Sequence, residues 1–194
     1  RLEFGIGSGA YQREFDRMRP GLKQSDSWRY MHEMLPALKA LWEGDYAHDG
    51  EFWSFPTSTS VPKPVQHPHP PIWVAARAPI TYDYAVKHGY DIMSWPLTRP
   101  FSEAELYKER LDDAMAANPD AKRPTFAMMR HSAVYAKSED WNKPVQALQR
   151  TLGQFENLFK NLGDVVNGFP KQIPLNELEN RDEYNANMLR ENLM

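Results

Sequence analysis

The chain has 194 residues, 23 Lys+Arg against 26 Asp+Glu for a formal net charge of −3, and no cysteine. Mixed charge this close to balance argues against nucleic acid or an anionic membrane as the main partner, and the lack of cysteine excludes disulfides and thiolate metal ligands. No apolar run approaches the roughly 20 residues of a membrane helix, and no charged segment followed by an apolar stretch opens the chain, so a single cytoplasmic domain over 1–194 is expected.

Leu2–Gly7 reads as a short apolar strand closed by Gly5, Gly7 and Gly9, and Tyr11–Met18 as a short helix stopped by Pro20-Gly21. Ser25-Asp26-Ser27 offers N-cap oxygens to a helix over Trp28–Glu43, where Tyr30, Met31, Met34, Leu35, Leu38, Leu41 and Trp42 recur at helical spacing before Gly44. Pro36 inside that run predicts a kink or a tightened start. Asp49-Gly50, set between apolar flanks in Tyr46–Phe55, predicts a hairpin. Pro62, Pro64, Pro68, Pro70 and Pro71 force Val61–Pro71 to run extended, so 45–71 is expected as a hairpin and proline-rich insertion.

Ile72–Ala76 is a continuous apolar strand of the kind buried in parallel sheets. A helix over Ile80–His88, capped by Gly89, leads to a strand over Asp91–Trp95. Ser102-x-x-Glu105 is a capping-box pattern opening a helix to about Ala117. A long strand is predicted over Thr125–Tyr135, then a helix from Glu139 to about Leu162 with Leu148, Leu152, Phe155 and Phe159 on one face. The tail from Gly163 is loop-rich, with a short helix near Asn176–Glu179. The alternation predicts a parallel α/β architecture. Four barrel-type strands fall short of the eight in a (β/α)8 barrel, so the count alone also allows a small open sheet.

Three clusters carry possible chemistry. Gly5-x-Gly7-x-Gly9 lies between a strand and a helix, where backbone amides can cradle phosphate, although a tight turn is the more ordinary reading of such a cluster and it is no dinucleotide fingerprint. Ala75-Ala76-Arg77-Ala78-Pro79-Ile80-Thr81 ends a strand and opens a helix. Its small residues admit a ligand and Arg77 can fork onto a phosphate, or the segment is a βα loop with a solvent-facing arginine. Ser94-Trp95 ends the next strand, where a tryptophan stacks on a flat ring or packs in the core. His67 and His69 point the same way in extended chain, but without a third ligand nearby they read as a rigid loop and not a metal site. His32, His48, His88 and His131 stand alone.

In this order the segments GIGSGAYQREF, LKALWEG, DGEFWSFP, VPKPVQHPHPPIWVAARAP and AVKHGYDIMSW resemble the luciferase-like flavin-dependent monooxygenase family, as do NLGDVVNGFP and NMLRENLM in the tail. The resemblance implies a TIM barrel of which this chain, an internal fragment, supplies about four strands and the inserted hairpin. It also implies reduced FMN as cofactor, O2 and a small organic substrate (aldehyde, ketone or hydrocarbon), a separate flavin reductase, and a homodimer. Residue by residue, Ser8, Gly9 and Ala10 match the loop contacting the flavin phosphate, Ala76, Arg77, Ile80 and Thr81 the second phosphate-binding turn, and Ser94 and Trp95 the pair lining the isoalloxazine ring. In bacterial luciferase a basic residue stands where this chain has Ser8 and a small hydroxyl residue where it has Arg77. The phosphate charge would then be met from the other loop, and a deazaflavin-dependent oxidoreductase or a non-catalytic flavin-binding half-barrel stays open as an alternative. The family's catalytic base is expected in the barrel's N-terminal part, outside this sequence.

Overall fold

The computed structural model describes residues 2–160, 165–166, 169–170, 176–177 and 185–193. In chain order, β1 (Phe4–Ile6) and α1 (Gln12–Met18) precede a single 3-10 turn and α2 (Ser27–Glu43), then the antiparallel pair β2 (Tyr46–Asp49) and β3 (Ser54–Ser58). β4 (Ile72–Ala75), α3 (Pro79–His88), β5 (Asp91–Leu97), α4 (Phe101–Ala117) and β6 (Phe126–Arg130) continue the alternation. After another 3-10 turn come α5 (Asn142–Lys160), the two-residue strands β7 (Val165–Val166) and β8 (Phe169–Pro170), and α6 (Ala186–Leu193). The main sheet has the order β1-β4-β5-β6. β4 pairs in parallel with β1 through Phe4↔Ile72 to Ile6↔Val74, and with β5 through Trp73↔Asp91 to Ala75↔Met93. The architecture is α/β with four parallel strands and an inserted hairpin, as expected.

The chain divides into two compact units, Arg1–Ser94 with Glu109–Ala127, and Trp95–Lys108 with Met128–Met194. In the first, Met31, Leu35, Val74, Ala85, Val86, Ile92 and Leu111 are buried. Along β4, Ile72 and Val74 are buried and Trp73 and Ala75 only half-buried, so this strand is closed over on one face and not on both. α2 runs unbroken through an exposed Pro36: Tyr30, Met31 and Leu35 before it and Ala37 after it are all buried, and that shared apolar face holds the helix together across the lost donor. Asp26 sits at its N-cap without a side-chain hydrogen bond there, and approaches Arg29 at 3.8 Å.

In the second unit, Val145, Leu148 and Leu189 form a small core between α5 and α6, flanked by Trp141, Leu152, Ala186 and Met188. Asn185 caps α6, its Oδ1 accepting from the N–H of Asn187 at 2.9 Å and of Met188 at 3.2 Å. Phe155, Phe159 and residues 178–179 of the expected Asn176–Glu179 helix fall outside the described side chains and residues. Several boundaries differ from expectation by one to five residues, β6 and α4 among them. β6 ends at Arg130 and not Tyr135, with Val134 left 97% exposed, so its β-branched side chain has no burial to reward a continued strand. α4 starts at Phe101, which places Ser102 inside the helix and not at its cap. The β7–β8 pair had no signal that separated it from loop.

A stack of rings packs α2 against α3. His32 lies 4.2 Å from Trp28 and 4.0 Å from Tyr84 between ring centroids, and Tyr84 continues to His88 at 4.4 Å. Burial, then the neighbouring His88, holds His32 below its ordinary value, and His88 is lowered by burial and by Lys39 and Lys87. Burial, with Tyr90 beside it, pushes Tyr84 up to about 12. With both folded histidines below the unfolded value of 6.5, the unfolded chain takes up more protons. Stability is therefore fully present above 6.5 and falls as pH drops through it toward the folded values. Urea midpoints at about pH 7.5 and about pH 5.5 are expected to show that fall, and His32→Phe, which keeps a ring in the stack, is expected to reduce it.

Candidate functional site

The first unit brings two strand-to-helix loops together at one end of the sheet. β1 and β4 are parallel neighbours in register, so the chain after Ile6 and the chain after Ala75 leave from the same edge. A Cβ placed on Gly7 would stand 3.4 Å from the Ala75 Cβ, which shows how closely the two loops approach. Gly9 has φ +87°, and a Cβ there would stand 2.8 Å from Phe15 Cζ. Both the conformation and the space demand glycine. Ser8 is half-buried and Ala10 exposed, while the Gly9 carbonyl accepts from Gln24 Nε2 at 3.4 Å.

On the second loop, Ala76 is fully buried and Arg77 exposed. Pro79 opens α3, supplying the fixed φ that a first helical turn accepts, and Gly89 closes the helix in the left-handed region at φ +69°. Thr81 is buried, its N–H bonded to the Ala78 carbonyl at 2.9 Å. Ile80 is 60% exposed and lines a shallow groove with Asp83, Arg110 and Asp113. Ser94 is 0% exposed, and its hydroxyl is committed to the Ala76 carbonyl at 2.8 Å and to the Tyr82 hydroxyl at 2.5 Å. The structure thus turns Ser94 toward the Ala76–Thr81 loop. Trp95, half-buried, is the first residue of the second unit.

Sequence reasoning missed Tyr82 and Arg110. Arg110 donates from Nη1 to the Arg77 carbonyl across 33 residues of sequence, a contact no local pattern announces. It also left His48 isolated, whereas the structure bonds His48 Nδ1 to Tyr46 Oη at 3.1 Å and Nε2 to Glu33 Oε1 at 3.2 Å. That carboxylate also accepts from the Phe52 and Trp53 N–H groups, so the chain of contacts secures the hairpin. His69 Nδ1 bonds the Pro70 carbonyl at 2.8 Å. Among the described residues no group of three or more His, Asp or Glu is arranged to hold a metal, and no helix is long and apolar enough to cross a membrane.

The Ser8–Ala10 segment after β1 and the Ala76–Thr81 segment opening α3 thus leave the sheet at the same edge, with Arg77 exposed beside the helix N-terminus. The chain belongs to the luciferase-like monooxygenase family, whose profile matches residues 1–192. It is 36% identical over 99% of its length to the oxygenase component of a flavin-dependent trigonelline monooxygenase from Acinetobacter baylyi, covering 53% of that protein. Among solved structures, monooxygenase RslO1 from Streptomyces bottropensis superposes with a TM-score of 0.67 at 24% identity, over 83% of this chain and 50% of that one. An F420-dependent secondary alcohol dehydrogenase gives 0.61 at 15% identity, over 100% and 56%. Both likenesses concern the fold. The four-stranded sheet is part of the barrel of this family, and the chain spans about half the length of the relatives it matches.

Proposed function

We propose that the protein is the oxygenase component of a flavin-dependent monooxygenase that takes up reduced FMN and acts with O2 on a small organic substrate, an aldehyde, ketone or hydrocarbon. The observation that carries this reading is the 36% identity over 99% of the chain to the oxygenase component of a flavin-dependent monooxygenase, in agreement with two loops whose donors suit the phosphate. When bound, the flavin supplies the oxygen chemistry. Ser8, Gly9 and Ala10 border the phosphate from one side, and Ala76, Arg77, Ile80 and Thr81 from the other, with Arg77 as the cation. The ring contact of Trp95 rests on the resemblance alone, as do a partner reductase, a homodimeric state and a cytoplasmic location.

Titration with FMN tests the site. Arg77→Ala is expected to weaken binding by about 1.5–3 kcal/mol, the range for a hydrogen bond to a charged group; unchanged affinity would remove Arg77 from it. Trp95→Ala is expected to weaken FMN and riboflavin alike, compared at equal thermal stability. Oxygen uptake with reduced FMN tests the reaction. Turnover with a reduced deazaflavin and no oxygen uptake would move the assignment to the deazaflavin-dependent oxidoreductases, and flavin binding without turnover of either kind to a non-catalytic half-barrel.

A further inference from the structure

Beyond the side chains that face the ligand, a buried set of polar groups fixes the backbone of the second loop. Ala76 is the first residue after β4, and both its backbone groups are tied down: its N–H donates to the Met93 carbonyl at 2.9 Å, and its carbonyl accepts from Ser94 Oγ at 2.8 Å. A serine hydroxyl has one proton. With that proton on the Ala76 carbonyl, the 2.5 Å contact between Ser94 and Tyr82 has Tyr82 donating, so the hydrogen bonds run Tyr82 to Ser94 to Ala76 and polarise one another in a dry interior. Tyr82 and Ser94 are both 0% exposed. One residue further on, the Arg77 carbonyl is held by the Arg110 guanidinium reaching from α4.

These bonds have a directional consequence. In a planar trans peptide the N–H points opposite to the carbonyl of the preceding residue. Turning the Ala76 carbonyl toward Ser94 therefore sets the direction of the Arg77 N–H, and turning the Arg77 carbonyl toward Arg110 sets that of the Ala78 N–H. Pro79 follows and contributes no N–H, so Arg77 and Ala78 hold the loop's amide donors ahead of α3.

We infer that Tyr82, Ser94 and Arg110 are positioning residues for flavin phosphate recognition: they orient the Arg77 and Ala78 peptides so that the loop's amides are aimed before the ligand arrives. The inference rests on the proposed function, since it needs a phosphate at this loop. Orientation fixed in advance removes an ordering cost from binding. The expected contribution is selective for FMN over riboflavin, which carries the same ring without the phosphate. A merely structural role would weaken both ligands together.

Fluorescence titration of the purified protein with FMN and with riboflavin separates these cases, with a thermal unfolding midpoint recorded for every variant. Tyr82→Phe removes one hydroxyl and keeps the ring. It is expected to lower the FMN-to-riboflavin affinity ratio about 3- to 10-fold, the loss of one hydrogen bond's net worth, with riboflavin affinity unchanged. Ser94→Ala is expected to lower the ratio at least as far. Arg110→Gln, which keeps a donor and loses the charge, is expected to retain more of the ratio than Arg110→Leu. If Arg77→Ala lowers the ratio and Tyr82→Phe does not, the positioning inference is overturned with the phosphate reading intact. If Arg77→Ala and Tyr82→Phe both leave the ratio at its wild-type value, the phosphate reading itself fails. Should Ser94→Ala not fold, Tyr82→Phe decides alone.

Discussion

Glu33→Ala is expected to lower the stability of the protein by about 2–4 kcal/mol, because one partly buried carboxylate is the shared acceptor for three donors. The N–H of Trp53 reaches Glu33 Oε1 at 2.8 Å, that of Phe52 lies 3.0 Å from Oε2, and His48 Nε2 is 3.2 Å from Oε1. Alanine leaves these groups without the acceptor where α2 meets the hairpin turn, and in a chain of this size the loss corresponds to a drop of roughly 5–12 °C in thermal midpoint. Glu33→Gln, which keeps an acceptor oxygen and gives up the charge, is expected to cost only about 1 kcal/mol. Burial alone would raise the pKa of Glu33, but the Trp53 and Phe52 N–H groups and His48 outweigh it and the value is lowered from 4.5. The folded value lies below the unfolded one, so this contribution is present above 4.5 and is lost as pH falls through the folded value. Acid titrations of wild type and Glu33→Gln followed by circular dichroism are expected to diverge above that window and converge below it. Equal midpoints for wild type and Glu33→Ala would show that the hairpin is held by its aromatic contacts, Tyr30 on Phe52 at 4.6 Å among them, and not by the carboxylate.

The same region shows what sequence carries and what it does not. Asp49-Gly50 between apolar flanks announced a hairpin, and a hairpin forms. A two-residue turn would be the usual reading of that dipeptide, yet the register Asp49↔Ser54 leaves Gly50, Glu51, Phe52 and Trp53 in the loop. The longer turn depends on a carboxylate from another element 19 and 20 residues away, and no local pattern specifies such a partner. The helices and strands around the sheet were legible because their apolar spacing and their punctuation by Gly44, Pro79 and Gly89 are local facts. Of the candidate site, the loops were legible for the same reason: small residues and an arginine at a strand end are visible in a row of letters. The bracing beneath them was not. Tyr82 reads as one more aromatic position of α3, and nothing nearby says that its hydroxyl meets Ser94 or that Arg110 spans to Arg77. The family resemblance supplied Ser94 as a ring contact, but not the bonds its hydroxyl makes to the Ala76 carbonyl and Tyr82. Long-range polar contacts are set by tertiary packing, so a single sequence records the residues and not their pairing.

Gly9→Ala is expected to harm flavin binding strongly at little cost to the remainder of the fold. Gly9 has φ +87°, where an L side chain costs about 1–2 kcal/mol, and the new methyl would stand 2.8 Å from Phe15 Cζ and 2.9 Å from Cε2. To admit the methyl, the half-buried Phe15 ring, 6.1 Å from Tyr30 between centroids, would have to shift or the loop backbone would have to move. The exposed loop relieves both strains by changing its backbone, so the penalty appears as a misplaced Ser8–Ala10 segment, with FMN affinity reduced about 100-fold, equivalent to about 2.7 kcal/mol. The two sources of strain are separable. Gly9→Ala combined with Phe15→Leu relieves the contact and leaves the backbone conformation unfavourable, so the double variant is expected to recover part of the affinity lost by Gly9→Ala, and the shortfall measures the backbone component. Full recovery would mean that the left-handed conformation costs nothing here. Wild-type affinity in Gly9→Ala itself would mean that the loop after β1 plays no part in holding the flavin, leaving the phosphate to Arg77 and the start of α3.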